Sequence, residues 1–243
     1  ILSIDNDSKI AIYVGSIQHN RGLENLLRSM KFLEKVHLVL MGYGDKEVLD
    51  NLESIAKEEG LTERYSLFGP VPSELVPLYT SSAEIGVAPI LNSCLSYYLC
   101  SPNKVFEYMH AGIPVVASDF PELRKVVIGE GIGTVFDPEN PEDIASSIRE
   151  IVEDEDLRGE FQLRSISSSR KYNWGKQSTK LQSIYLDLFA NQTIEVADGK
   201  QPTRILERFL RGSQISGKTI LGIEKNMPGN RGWGSPLGRE SVE

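Results

Sequence analysis

Ser101-Pro102-Asn103-Lys104-Val105-Phe106-Glu107-Tyr108-Met109-His110-Ala111-Gly112-Ile113-Pro114-Val115-Val116-Ala117-Ser118 reads as a helix that runs directly into a buried strand. Ser101 suits the N-cap, and Pro102 suits the first helical position, where its missing N–H costs nothing. The N–H groups of Asn103 and Lys104 then lack acceptors within the helix. Free N–H groups at the positive end of a helix dipole attract phosphate. Glu107 follows Asn103 by four residues, so it shares that face, roughly 6 Å along the axis. A carboxylate so placed beside a diphosphate can accept both hydroxyls of a nucleotide's ribose. The same residues also fit an ordinary capped helix with one exposed Glu, and the residues alone leave both readings open.

Outward from this stretch, apolar strands and amphipathic helices alternate. Strands are predicted over 10–15, 36–41, 65–68, 85–88, 113–117 and 133–136, nearly all of them apolar runs. Leu23, Leu26, Leu27, Met30 and Leu33 repeat at helical spacing. Further helices are expected over 45–58, from Ser73, from Pro121, and from the Asn140-Pro141 cap through Ile144, Ile148 and Ile151. Such strands, each followed by a helix, imply a Rossmann-like, doubly wound parallel α/β sheet. Ligands of these sheets bind beyond the carboxyl ends of the strands. The segments 15–16, 69–71 and 89–101 all follow strand ends and can converge there.

After residue 155 the pattern turns helical. Tyr172, Trp174, Leu181, Ile184, Tyr185 and Leu188 form an apolar stripe expected to dock on the domain. From residue 191 periodicity is lost and eight glycines appear, so 191–243 reads as a linker and poorly ordered tail, helical only over 205–210. The glycosylation triplet Asn191-Gln192-Thr193 reads as accidental.

The chain has 243 residues, 40% hydrophobic and 25% charged, an ordinary globular composition. It begins with Ile1, which reads as a piece of a longer chain. No apolar run reaches the ~18 residues of a membrane span, and no signal peptide is visible. The net charge is −8; residues 191–243 contribute +2, leaving −10 on residues 1–190. So acidic a body argues against nucleic acid as a partner but not against a single nucleotide. Cys94 and Cys100 read as thiols in a reducing compartment, and the three histidines lack metal-ligand spacing. A cytoplasmic location follows, with peripheral membrane association left open. Glu58, Glu59 and the acidic run 153–156 read as solvated helix faces.

Residues 103–109, 111–118 and Pro121-Glu122-Leu123 together resemble the donor-site segment of family 4 glycosyltransferases, retaining enzymes of the GT-B fold. Tyr13-Val14-Gly15 with Arg21-Gly22-Leu23-Glu24, residues 38–45, and Phe68-Gly69-Pro70-Val71 are similar to other parts of the same half. The resemblance covers roughly residues 9–190 and implies a C-terminal, nucleotide-sugar-binding domain over 1–190. Its partners would be a nucleoside diphosphate sugar, an N-terminal domain of the same protein toward which the last helix crosses, and an acceptor glycan, lipid or small molecule. No cofactor or metal is implied.

By this resemblance Gly15, Ser16, Arg21, Val71, Asn103, Lys104 and Glu107 line the donor site, and Arg21 and Glu107 serve the reaction. Gly15 lets backbone approach the ligand, and Val71 offers backbone and apolar contact to the base. Arg21, predicted in the first turn of a helix where the dipole disfavours a cation, stands where the family has a Lys that pairs with the diphosphate. Lys104 offers its backbone N–H; its side chain points to solvent or to the phosphates. Two positions depart from the family: Leu99 stands where a glutamate is expected near the donor sugar, and Ser16 where an Arg is expected. They keep open a non-catalytic nucleotide-binding or interaction module; a nucleotide-sugar epimerase of the same architecture is a third reading. Ser73 reads as a helix N-cap and His110 as a packed or surface residue.

Overall fold

The computed structural model describes residues 4–5 and 7–191, with side chains as far as residue 187. The chain divides into two units, Ile1–Ser183 and Ile184–Glu243; beyond residue 191 the expected tail, with its helix over 205–210 and the rest of the glycosylation triplet, lies outside the described residues.

Six strands, β1 (Lys9–Val14), β2 (Val36–Met41), β3 (Tyr65–Phe68), β4 (Ile85–Ala88), β5 (Val115–Ser118) and β6 (Gly133–Phe136), form one sheet in the order β3-β2-β1-β4-β5-β6. All five pairings are parallel. Nine α-helices lie among the described residues: α1 (Leu23–Ser29), α2 (Lys46–Glu58), α3 (Val76–Thr80), α4 (Leu95–Tyr98), α5 (Asn103–Ala111), α6 (Pro121–Val127), α7 (Pro141–Glu153), α8 (Glu155–Ser169) and α9 (Trp174–Asn191), with short 3₁₀ turns at Met30–Phe32, Thr62–Arg64 and Ser73–Leu75. None is long and apolar enough to cross a membrane.

The pleat sorts side chains onto two cores. Ala11 and Tyr13 of β1 face the core made with α1, α2 and α7. Ile12 and Val14 face the other, made with α5 and α6 and flanked by Val76 and Tyr79 of α3. Every residue of β2, β4 and β5 is buried. Each fully buried Leu, Ile or Val contributes roughly 1.5–3 kcal/mol of transfer free energy, and this is the doubly wound sheet the apolar runs predict.

Several boundaries differ from expectation. β5 begins at Val115, because the Ile113 N–H bonds back to Tyr108 O at 3.1 Å and closes α5. The acidic run is not one helix face: Asp154 separates α7 from α8, and its carboxylate caps Leu157 N at 2.9 Å. Ser101 and Ser73 are not caps. Each lies beside a proline whose backbone is extended (Pro102, ψ 143; Pro72, ψ 140) and which takes the N-cap position itself. Asn140 caps α7 as expected, its side chain accepting from Glu142 N and Asp143 N. Of the stripe on α9, Trp174 is 73% exposed and Leu181 44%, so neither docks on the rest of the first unit; Ile184 and Tyr185 fall in the second unit, and the Leu188 side chain lies outside the described residues. Tyr172 alone is held, by Glu130 at 2.8 Å and by the Phe106 ring at 5.5 Å.

Candidate donor-binding site

The sheet reverses its strand order between β1 and β4, and their ladder covers only Ala11–Ile85 and Ile12–Gly86. Beyond it the Tyr108 hydroxyl enters from α5, accepting from Val14 N and donating to Val87 O, both at 3.0 Å. Gly86 makes room, since a Cβ there would lie 2.3 Å from the Tyr108 ring. The strand ends therefore part around a crevice at the carboxyl edge, where ligands of such sheets bind.

The loop after β1 begins at Gly15 (φ +131) and ends at Gly22 (φ +70). Asn20, also at positive φ, accepts from Leu91 N at 3.1 Å. A Cβ on Gly22 would meet Pro89 Cβ at 3.2 Å, so this loop lies tightly on the segment after β4. That segment is tied to the end of β5: the buried Ser118 hydroxyl donates to Ile90 O at 2.9 Å and accepts from Ile90 N at 2.8 Å. The ends of β1, β4 and β5 thus hold one another in register.

Arg21 lies in this loop, two residues before α1, not in the first helical turn. The conflict with the dipole falls away, because Gly22 rather than Arg21 adjoins the helix. The guanidinium sits 5.2 Å from the centre of the Tyr97 ring, and Nε is buried without an acceptor. α5 opens at Asn103 with no side-chain cap; the first internal bond runs from Val105 N to Pro102 O at 3.2 Å. The N–H groups of Asn103 and Lys104 have no acceptor in the helix.

The Lys104 side chain neither reaches solvent nor trails free. It is only 8% exposed, and its ammonium lies 4.2 Å from the centre of the Tyr13 ring, beside Gly15. The Tyr13 hydroxyl donates to Ser16 O at 2.7 Å. Burial and the neighbouring Arg21 pull the Lys104 ammonium down to about 8, against the attraction of Glu107. Burial pushes the Glu107 carboxyl up, with Lys104 acting the other way. Burial also raises the Cys100 thiol, against Lys104 and Arg21, and lifts Tyr13 to about 12. Among the described residues no carboxylate lies within ion-pair distance of Arg21 or Lys104. Two cations with no described counterion, one of them at the head of α5, are the arrangement that favours an anion.

Gly15, Ser16, Arg21, Lys104 and Glu107 are linked through these contacts and mutual fields, with Asn103 at the head of the same helix. Val71, in the turn after β3, is half-buried against the core that α5 covers. Leu99 ends α4 and is 49% exposed. His110 is exposed, its ring bonded to Phe106 O. Sequence reasoning missed Tyr13, Tyr97 and Tyr108. The signal available was a phenol within an otherwise aliphatic strand or core face, since a buried tyrosine needs a partner for its hydroxyl.

Residues 1–167 match the family described as glycosyl transferases group 1. The chain belongs to that family. A D-inositol 3-phosphate glycosyltransferase of Corynebacterium glutamicum is 25% identical over 203 residues, covering 80% of this chain and 47% of the relative. Among solved structures, a sucrose-phosphate synthase from Thermosynechococcus elongatus superposes with a TM-score of 0.70 at 25% identity, over 78% of this chain and 47% of that one. HepE of Anabaena, solved in complex with UDP and glucose, shares the fold with a TM-score of 0.64 at 15% identity, over 74% of this chain and 48% of its own. Like these GT-B glycosyltransferases, the chain places its six parallel strands in one Rossmann-like domain; it spans about half the length of the curated relatives it matches.

Proposed function

We propose that this chain is the donor-binding half of a retaining glycosyltransferase that moves a sugar from a nucleoside diphosphate to an acceptor hydroxyl on a glycan, lipid or small molecule. One observation carries the reading. Arg21, whose buried Nε has no partner among the described residues, lies close enough to Lys104 at the head of α5 for the two charges to oppose each other, with Glu107 about one turn along that helix. The diphosphate lies against the N–H groups of Asn103 and Lys104 with Arg21 beside it, and Glu107 accepts the ribose hydroxyls. Gly15 and Ser16 give the close backbone edge, and Val71 flanks the base. These groups, rather than a metal, take up charge as the sugar–phosphate bond breaks; one preorganised donor to a developing anion is worth about 3–4 kcal/mol. The UDP and glucose held by HepE, a protein of the same fold, support a nucleotide-sugar donor.

The acceptor and its activating groups come from an N-terminal domain outside these residues, with 1–190 as the donor domain and 191–243 as linker and tail. The free thiols Cys94 and Cys100 favour a reducing, cytoplasmic setting. Calorimetric titration of the chain with uridine, guanosine and adenosine diphosphates tests the reading. Saturable binding of one of them is expected, weakened by Glu107→Ala more for the ribonucleotide than for its 2′-deoxy analogue. No binding, or binding indifferent to Glu107→Ala, overturns it. With the full protein, the anomeric configuration of the product separates retention from inversion.

A further inference from the structure

We infer that the Lys104 ammonium is a second cation for the donor's diphosphate, reaching it across the carboxyl edge of the sheet from beside Gly15. This rests on the donor reading above and adds a charge to what that reading assigns to the Lys104 backbone.

Lys104 is 8% exposed, and a lysine so covered is ordinarily paired with a carboxylate. No described carboxylate lies within ion-pair distance, and the like-charged Arg21 is close enough to oppose it. The ammonium is held by the Tyr13 ring at 4.2 Å, and that ring is fixed by its hydroxyl bond to Ser16 O. A cation–π contact offsets part of the desolvation cost but leaves the charge uncancelled. Gly15 lets backbone lie directly beside this ammonium, with no side chain between them. The nearest atoms to a side chain placed there would be Lys104 Cε at 3.7 Å and Nζ at 3.8 Å.

A lysine serving only to fill space is a poor choice here, because methionine has similar length and no charge to bury. An anion between Arg21 and Lys104 removes both the desolvation penalty and the mutual repulsion. Ser16 carries no charge, so the cation supplied from α5 complements Arg21 where the β1 loop has only a hydroxyl.

The test uses the 243-residue chain and its Lys104→Met, Lys104→Arg and Arg21→Ala variants. Each is titrated with the three nucleoside diphosphates and the corresponding nucleosides, and melted with and without them. Lys104→Met is expected to weaken diphosphate binding by about tenfold or more, to leave nucleoside binding unchanged, and to melt no lower than the parent when empty. Lys104→Arg recovers part of the loss. If Lys104→Met binds as the parent does while Arg21→Ala binds weakly, the inference falls and the donor reading stands. Equal losses for nucleoside and diphosphate with a lowered melting point, or no recovery by arginine, assign Lys104 to packing and also overturn the inference. If the parent binds no nucleotide, both fall.

Discussion

The Tyr108 hydroxyl accepts the Val14 N–H at 3.0 Å where the β1–β4 ladder stops, and donates its own hydrogen bond to Val87 O. A side chain from α5 thus replaces one rung of the sheet and holds the crevice at a set width. Tyr108→Phe leaves a buried N–H and a buried carbonyl unpaired, each worth about 1–3 kcal/mol. Chemical denaturation is expected to show a loss of about 2–6 kcal/mol for the two groups together, with weaker nucleotide binding. A loss below about 0.5 kcal/mol, the scale of a neutral surface change, would show that water or relaxation replaces the hydroxyl.

Gly42 and Gly60 both have positive φ, yet alanine should act very differently at each. A Cβ on Gly42 would lie 1.9 Å from Gly15 O, so the backbone that begins the loop after β1 must move. Gly60 has nothing within 4 Å of the added atom. Gly60→Ala should cost about 1–2 kcal/mol of left-handed strain and leave nucleotide binding unchanged. Gly42→Ala should cost more than about 3 kcal/mol, as overpacking against backbone does, and abolish binding. Parallel melts and titrations of the two variants decide the point, and similar behaviour would contradict the contact.

Ser118→Ala removes both bonds to Ile90. A stability loss of about 2–6 kcal/mol is expected from the two buried backbone groups left behind. Amide exchange should quicken over 89–101 more than over β2, because only the former segment depends on the Ser118 tether. Uniform quickening would mean that the hydroxyl supports the whole sheet.

Lys104 titrates near 8 in the folded chain and near 10.5 when free of it. Between these values the unfolded chain holds a proton that the folded chain has released, so stability rises with pH through that window. The penalty is fully present below about 8. Nucleotide affinity takes the opposite sign, falling as the ammonium discharges through about 8. Around this ammonium stand Arg21, Glu107, Tyr13 and Cys100, and burial raises both the Cys100 thiol and the Glu107 carboxyl. Melting curves across that range, with and without nucleotide, should diverge in slope, and Lys104→Met should flatten both.

Much of the fold lies open in the chain itself. The runs at Val36–Met41 and Ile85–Ala88 are strands because six and four consecutive side chains need burial on both faces. The helical spacing of Leu23, Leu26 and Leu27 points all three at one core. Helix starts were less legible where proline adjoins serine. Pro121 and Pro141 occupy the first turn, whereas Pro72 and Pro102 serve as the cap, a shift of one residue that local propensity does not distinguish.

Periodicity, glycine placement and the run from Asn103 to Glu107 were enough to specify a parallel sheet and to locate the head of α5 as the proposed anion site, because each depends on neighbours a few residues apart. The folded chain alone placed Lys104 on Tyr13, Arg21 beside Tyr97, and the Tyr108 hydroxyl between two strands. Those partners stand 76 to 94 residues apart. Their meeting follows from strand order and packing, which bring distant segments to one edge of the sheet and leave two cations there without counterions.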